Sequence, residues 1–483
     1  MAASPKFRGL SVSAQTLPVS ADITAAPNAI KCTPPIKSSS GILSRAGWVI
    51  GGYGMSSVIR MTSNAVLTRL LVPEMFGIMV VVNSVRYGVE LLADLGIEQN
   101  VVTSKHGNEP LFANTAWTLQ ILRGVFLTLV FLCIASPLAT FYRIDRGIML
   151  AISLAPLANS LASTSIFGLV KNLDVKRRNL FELSSELLAF FATLTLAFLT
   201  RSVWALVLGA LLSLSIRSAL SFLLPHPAHG FTLHWPHVKE IARFGKWILL
   251  YSIVLYLSTN LDRIYLGKVA PLALLGMYGL ARTISDLPAT LASKVSYQLV
   301  FPLLAGARNR GDGEPAAEFA ATRRKFVLAG AVLMATAISW ADVAVRVVYD
   351  ARYAQVGWML ASLLAVTWVS ALSSLNEAVL LGLRQPVYNS VATGLKLFFV
   401  GLGVPAGYLL YGFPGAIGAI AAGELGRYFL VAIIQRRFRV SVIRQDGVAT
   451  ATMICAVIAW LICRHALSLG SPWDSAFSWG HAR

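Results

Sequence analysis

Charge is scarce in this chain. Asp, Glu, Lys and Arg make up 13% of its 483 residues, where water-soluble domains run at about 25%. With 56% hydrophobic residues and a mean hydropathy of +0.66, there is too little polar surface to clothe a globule in water, which excludes a soluble enzyme and a disordered chain. Cysteine is nearly absent. Cys32, Cys133, Cys455 and Cys463 show no CxxC spacing, so no disulfide framework or metal site is expected, and apolar packing is the role left to them. There is no Walker loop, no HExxH and no strand-anchored glycine fingerprint, so no cofactor is expected. Acids are few, 22 against 41 Lys and Arg, for a net charge of +19. In so apolar a chain that excess belongs in cytoplasmic loops of a membrane protein, not against nucleic acid.

What is there, from Gly41 onward, is a succession of apolar stretches with short polar breaks. A helix crosses a bilayer in about 20 residues. The expected spans are 43–66, 77–102, 114–138, 147–170, 180–200, 203–224, 247–266, 272–303, 326–348, 355–382, 388–411, 414–434 and 447–465. Residues 1–42, rich in Ser, Ala, Pro and Thr with no apolar run, read as a disordered cytoplasmic tail, or as a start codon placed too far upstream. The divisions expected are that tail, an N-terminal six-helix bundle over 43–224, a connector over 225–246, a second six-helix bundle over 247–434, and a basic loop with an extra helix over 435–483. The class is thus an all-α polytopic membrane protein.

Connectors on one side, with the N-terminal tail, hold 23 Lys and Arg; those on the other hold 9. The bias puts the N-terminus and the segments KNLDVKRRN (171–179), ATRRKF (321–326) and QRRFRV (435–440) in the cytoplasm. The loops on the other side are short, which leaves little room for a membrane enzyme's outer domain.

The halves resemble each other. Under a shift of 198, Arg45, Gly47, Ile50, Tyr53 and Pro73 fall on Arg243, Gly245, Ile248, Tyr251 and Pro271. That shift carries six spans, so the repeats share orientation, and two bundles related by an axis along the membrane normal are expected.

Several segments then carry a family resemblance. LTRLLVPEMFG and the later ADLG flank the second span; LDRIYLG closes the seventh and LGMYGLA opens the eighth; FGLVKNLDVKRRNLFELSS forms the fourth inner connector. In order and spacing these resemble the oligosaccharide flippase family, the Wzx-like branch of the multidrug/oligosaccharidyl-lipid/polysaccharide exporter superfamily, over about 42–440. The resemblance implies two six-helix bundles facing a central cavity. It also implies a substrate, a polyprenyl-diphosphate-linked oligosaccharide, in the bacterial inner membrane.

Charges inside spans cost several kcal/mol, by estimates of about 2.5 upward, and so tend to face a cavity or a partner. Arg217, Lys294 and Arg123 lie near cytoplasmic ends and are expected to snorkel. Arg263, beside Asp262, is expected in a rim ion pair or on the cavity. Arg86 and Arg282 each lie about ten residues, or about 15 Å, inside the second span of their half, and each precedes an acid by four, Glu90 and Asp286. Asp94 continues the first of these faces, Arg60 shares a face with Asn64, Glu424 precedes Arg427 by three, and Lys396 has no partner in its own helix. Arginine's planar fork holds phosphate oxygens without losing its charge. Arg60, Arg86, Arg263, Arg282 and Lys396 are therefore the candidate substrate ligands. Glu90, Asp94, Asp286 and Glu424 either carry a coupling proton or sodium ion or hold the arginines in place. His226, His229, His234 and His237 are expected in a solvated loop, and the small residues of 407–426 in close helix packing.

The leading expectation is a flippase for exopolysaccharide, capsule or O-antigen synthesis, working by alternating access among membrane lipid and polysaccharide assembly proteins. Another exporter of the same superfamily, for lipid II or a drug, remains open. A drug exporter of cationic compounds would want an acidic cavity, and here arginines dominate. A membrane-embedded polymerase or ligase is the alternative from another class.

Overall fold

The computed structural model describes residues 39–91, 94–172, 174–225, 229–295, 314–382, 386–437 and 442–477. The chain divides into residues 1–44 and 45–483. Of the first unit, residues 39–44 are described, as helix; the rest of the expected tail lies outside the described residues.

The described chain is nearly all helix: α1 Ser39–Leu70, α2 Pro73–Leu91, α3 Ile97–Thr103, α4 Pro110–Tyr142, α5 Arg146–Ile152, α6 Ala155–Ser160, α7 Ser165–Lys171, α8 Val175–Thr200, α9 Val203–Ser221, α10 Trp235–Val269, α11 Leu272–Val295, α12 Glu314–Ser339, α13 Ala341–Val348, α14 Val356–Gly382, α15 Pro386–Arg437, α16 Ile443–Ala466 and α17 Asp474–Phe477. Six of these are long and apolar enough to cross a membrane, and up to eight if two bent pairs, α5–α7 at 56° and α12–α13 at 59°, each count as one span. Gly412 at φ 64° breaks α15 into two limbs, as the expected turn between 411 and 414 requires. Helices α1, α2, α10 and α11 carry several of the charges inside the expected spans, and α4, α9 and α15 carry others discussed below. Helices occupy most of the described parts of the expected spans, residues 296–303 of the eighth lying outside the described residues, and the chain is a multi-pass membrane protein.

Span two departs most from expectation. In place of a helix through residue 102, α2 stops at Leu91, and the chain turns at Gly96 in the left-handed region (φ 59°). The Asp94 carboxylate accepts from Gly96 N–H at 3.0 Å, and α3 begins directly after. An acid that bonds its own backbone two residues on favours a turn over a helix.

Burial ranks the helices. The apolar stretch of α14 is 78% buried and those of α8 and α16 are 17% buried, so α14 is a central post and the other two face lipid with residues such as Leu199 and Ile462. Helix α2 of the first half crosses α11 of the second at their starts. A Cβ on Gly77 would stand 1.9 Å from the Leu272 carbonyl oxygen, and one on Gly276 would stand 2.1 Å from that of Pro73. The contacts are reciprocal at an offset of 199, as a two-fold axis through the crossing demands. Only glycine permits backbone to meet backbone this way.

This crossing lies on the face opposite the basic loops. On that face the second half also caps the first. Arg352 donates to the Thr68 and Arg69 carbonyls (3.4 and 3.3 Å), Tyr353 Oη to Leu71 O (2.8 Å), and Lys268 Nζ to Phe141 O (2.6 Å). These satisfy carbonyls that helix ends leave open.

Helix α16 is pinned at both ends. Near the basic loops Arg323 and Asp446 pair at 2.7 Å, each side chain 1% exposed, with Asn376 and Tyr428 also on the carboxylate. At the other end Arg464, fully buried, grips Asp342 with two bonds of 2.9 Å and donates to Ser339 O at 2.7 Å.

Candidate functional site

Two cavities of about 440 Å³ follow one another along the junction of the halves. The central one is lined from α1 by Arg60, Ser63 and Asn64, from α2 by Asn83, Ser84, Arg86 and Tyr87, and from the second half by Arg263 and Thr283. The other, on the basic side, is lined by Tyr53, Arg60, Arg178, Glu182, Glu186 and Lys294. Arg60 belongs to both.

Arg86 lines the central cavity, at another depth than expected. Because α2 ends at Leu91, Arg86 lies about 20 Å from the helix start and about 8 Å from its end. Its guanidinium pairs with Glu90 at 3.1 Å and lies 4.6 Å over the Tyr87 ring. Its buried Nε has no hydrogen-bond partner, nor has that of Arg263.

The four-residue spacing holds in the second half too, with Arg282 paired to Asp286 at 3.3 Å. Yet Arg282 does not line the central cavity. At the glycine offset the counterpart of Arg86 is Ser285, and three residues turn Arg282 about 60° round the helix. It lies instead within the second half's own charges, where it feels Tyr278, Asp262 and Glu424.

Arg263 does not pair with its neighbour Asp262, since consecutive side chains on a helix diverge by about 100°. It reaches Asp286 at 3.5 Å, while Asp262 accepts from Tyr278 Oη. Lys396 finds a partner across the break of α15, Glu424 at 2.7 Å. Arg427 pairs with Glu424 as its spacing suggested (3.3 Å), and with Glu377 more closely (2.7 Å). Lys396 and Glu424 thus form part of a buried lattice inside the second half.

Arg123 does not snorkel: it donates to the Glu90 carbonyl and, with Glu90, Asp94 and Glu98, lines a pocket of about 250 Å³ inside the first half. The Arg86–Glu90 pair is therefore a wall, with Arg86 on the central cavity and Glu90 on this pocket. Asp94 is not on the Arg86 face, because α2 has ended; its second oxygen accepts from Ser252 at 3.2 Å. Arg217 likewise is held, bidentate on Glu182 at 2.9 and 3.2 Å.

The histidine connector is less solvated than expected. His237 is buried against Phe112, His106 and His234, with ring centroids 5.1, 5.6 and 4.5 Å away. His229 lies 5.0 Å from Trp117. No group of three metal-binding side chains occurs among the described residues. His226 lies outside them.

The fold has known counterparts. A structure of the lipid II flippase MurJ, in an inward closed conformation, superposes with a TM-score of 0.67 at 11% identity, covering 86% of this chain and 92% of that one. An inward-facing multidrug resistance MATE transporter of the MOP superfamily gives 0.56 at 14% identity, covering 85% and 99%. At such identities the likeness shows the fold alone.

Sequence relatives are also distant. The lipopolysaccharide biosynthesis protein WzxC of Escherichia coli is 24% identical over 268 residues, 53% of this chain and 52% of that protein. The teichuronic acid biosynthesis protein TuaB of Bacillus subtilis is 24% identical over 308 residues, 62% and 59%. The succinoglycan biosynthesis transport protein ExoT of Rhizobium meliloti is 20% identical over 342 residues, 69% and 67%. The chain spans between half and two thirds of the length of these relatives. A family model described as polysaccharide biosynthesis protein matches residues 66–357, more than half of the chain, and the chain belongs to that family.

Proposed function

We propose that the protein is a flippase that carries polyprenyl-diphosphate-linked oligosaccharide repeat units across the bacterial inner membrane, with its basic face in the cytoplasm. The observation that carries the reading is the central cavity between the halves, with Arg60, Arg86 and Arg263 on its wall and unpartnered guanidinium nitrogens on two of them. A diphosphate is the anion such a site suits, because guanidinium holds phosphate oxygens in pairs and stays charged at any physiological pH. Ser63, Asn64 and Asn83 supply the neutral hydrogen-bonding groups that sugar hydroxyls require. The family and the names of its relatives, which speak of lipopolysaccharide, teichuronic acid and succinoglycan, support the substrate class.

Alternating access follows from the closure at one face. With α2 and α11 in backbone contact on the far side, the described state serves loading from the cytoplasm. Release requires that crossing to part. A coupling proton or sodium ion has a place in the pocket of Glu90, Asp94 and Glu98, across the wall from Arg86. Arg282, Asp286, Lys396 and Glu424 serve the second half's internal charge lattice, with Asp286 tying Arg263 to it.

The test is depletion of the protein in its host, followed by analysis of membrane lipids. Lipid-linked repeat units of the surface polysaccharide should accumulate on the cytoplasmic leaflet while lipid II stays constant. Accumulation of lipid II instead would overturn the substrate assignment.

A further inference from the structure

A second cluster of cations sits at the mouth of the basic face. The segment KNLDVKRRN places three basic residues in succession at the start of α8, and the structure gives each a different setting. Lys176 lies 5.9 Å over the Trp48 ring. Arg177 pairs at 3.4 Å with Asp174, the residue whose carboxylate caps the helix. Arg178 lines the cavity between α1, α8 and α11 and also reaches the acid-lined pocket of the first half.

Two more cations meet it there. Lys294, one residue from the end of α11, holds its ammonium 4.0 Å from the Tyr53 ring centre. It feels the charges of both Arg178 and Arg60. Against these stand Glu182 and Glu186. Glu182 has both oxygens on Arg217, and Glu186 is 4.0 Å from Arg60. Among the described residues no ion pair engages Arg178 or Lys294. With Glu182 taken up by Arg217, three cations face one remaining carboxylate, Glu186, and such an excess of positive charge raises the local concentration of an anion.

The cations also form a series in depth. Counted at about 1.5 Å per residue from the far-side ends of their helices, Lys294 lies about 33 Å along α11, Arg86 about 20 Å along α2 and Arg263 about 9 Å along α10. Arg60 lines both cavities and links the first step to the second.

We infer that Arg178, Lys294 and Arg60 form an entry site that takes the diphosphate group first and passes it through Arg60 to Arg86. The inference rests on the flippase reading and adds to it a loading site at the mouth, distinct from the central one.

The full-length protein in nanodiscs, with undecaprenyl diphosphate as the probe, tests it. Wild type should bind, and inorganic pyrophosphate should compete where phosphatidylglycerol does not. Arg178→Ala with Lys294→Ala should weaken binding about tenfold or more, through loss of charge-assisted contacts. Arg178→Lys with Lys294→Arg, which keeps both charges, should stay within about threefold of wild type. Lys176→Ala with Arg177→Ala removes two charges from the same segment outside the cavity and should have no effect.

Three results would overturn the entry site while leaving the flippase reading in place. They are binding unchanged in the first variant, an equal loss in the Lys176 and Arg177 variant, or equal competition by phosphatidylglycerol. If wild type binds no undecaprenyl diphosphate, the flippase reading fails and the entry site with it.

Discussion

The crossing of α2 and α11 makes a quantitative demand. Replacing Gly276 with Ala puts a methyl carbon 2.1 Å from Pro73 O and 2.7 Å from Gly77 N; replacing Gly77 puts one 1.9 Å from Leu272 O. Both obstacles are backbone, so neither side chain can swing aside. To restore a contact of 3.0 Å the helices must part by about 1 Å. Overpacking of this kind costs about 1–3 kcal/mol, which shifts a two-state equilibrium by roughly 5- to 150-fold. The strain falls on the state in which the far face is closed, so Gly276→Ala should populate the state in which it is open. In a background with Cys32, Cys133, Cys455 and Cys463 replaced, Asn83→Cys puts a thiol on the central cavity. An impermeant maleimide added to intact spheroplasts should leave this thiol unlabelled in the parent and label it once Gly276→Ala or Gly77→Ala is added. If the protein reaches the membrane at its normal level and the thiol stays unlabelled, the crossing is not the far-side closure.

Further outcomes follow from the same geometry. Arg464→Ala leaves the buried Asp342 carboxylate with the exposed Arg346 as its remaining cation and should cost about 1–3 kcal/mol, whereas Asp342→Leu with Arg464→Met should recover most of it, read as thermal denaturation in detergent. Arg86→Ala should lower polymer export about tenfold or more, with Arg86→Lys intermediate. Adding Glu90→Ala should restore membrane level without export, and restored export would reduce Arg86 to a structural partner. Single cysteines at Ala351 and Leu469 should react with an impermeant reagent from outside and one at Arg177 should not; labelling at Arg177 would reverse the orientation. Burial, then the nearby His234 and His106, holds His237 below the ordinary imidazole value against the opposing pull of Glu240 and Glu109. Its neutral form is the one the fold favours. That stability is whole above about pH 6.5 and is lost as pH falls through the depressed value. His237→Gln should flatten the acid limb of the melting profile, and an unchanged limb would exonerate the residue.

Periodicity made the local part of this molecule legible. Pairs three or four residues apart, Arg86–Glu90, Arg282–Asp286 and Glu424–Arg427, were readable because one helix face is fixed by sequence spacing alone. The pairings of Arg323 with Asp446, Asp342 with Arg464 and Lys396 with Glu424 were not, because they reach across to another helix or across the break of α15, and nothing in the local pattern says which segments will touch. The end of α2 was masked by hydropathy that runs on through 97–102; the Asp94–Gly96 turn was the available signal. Arg282 was placed on the cavity by its depth and removed from it by its angle, a distinction that needs the crossing of α2 with α11. Lys294 and Arg123 were read as snorkelling because a span end offers water. The structure instead gives one a cavity mouth and the other a carbonyl.

The pinning of α16 bears on how the chain is made. Arg323 is separated from Asp446 by 123 residues and Asp342 from Arg464 by 122. A ribosome adding about 5–20 residues per second needs on the order of 6–25 s to cover that distance. Over that interval α12 and α13 have left the ribosome with Arg323 still without its carboxylate and Asp342 held only by the exposed Arg346 one turn on, at 3.1 Å. A nascent second half therefore waits half-assembled, its charges held near water or lipid headgroups, until the last long helix arrives and closes both contacts together. Completion of synthesis is thereby coupled to completion of the fold, and a chain cut short before residue 446 presents a bare Arg323 and a half-paired Asp342 to whatever machinery disposes of unfinished proteins.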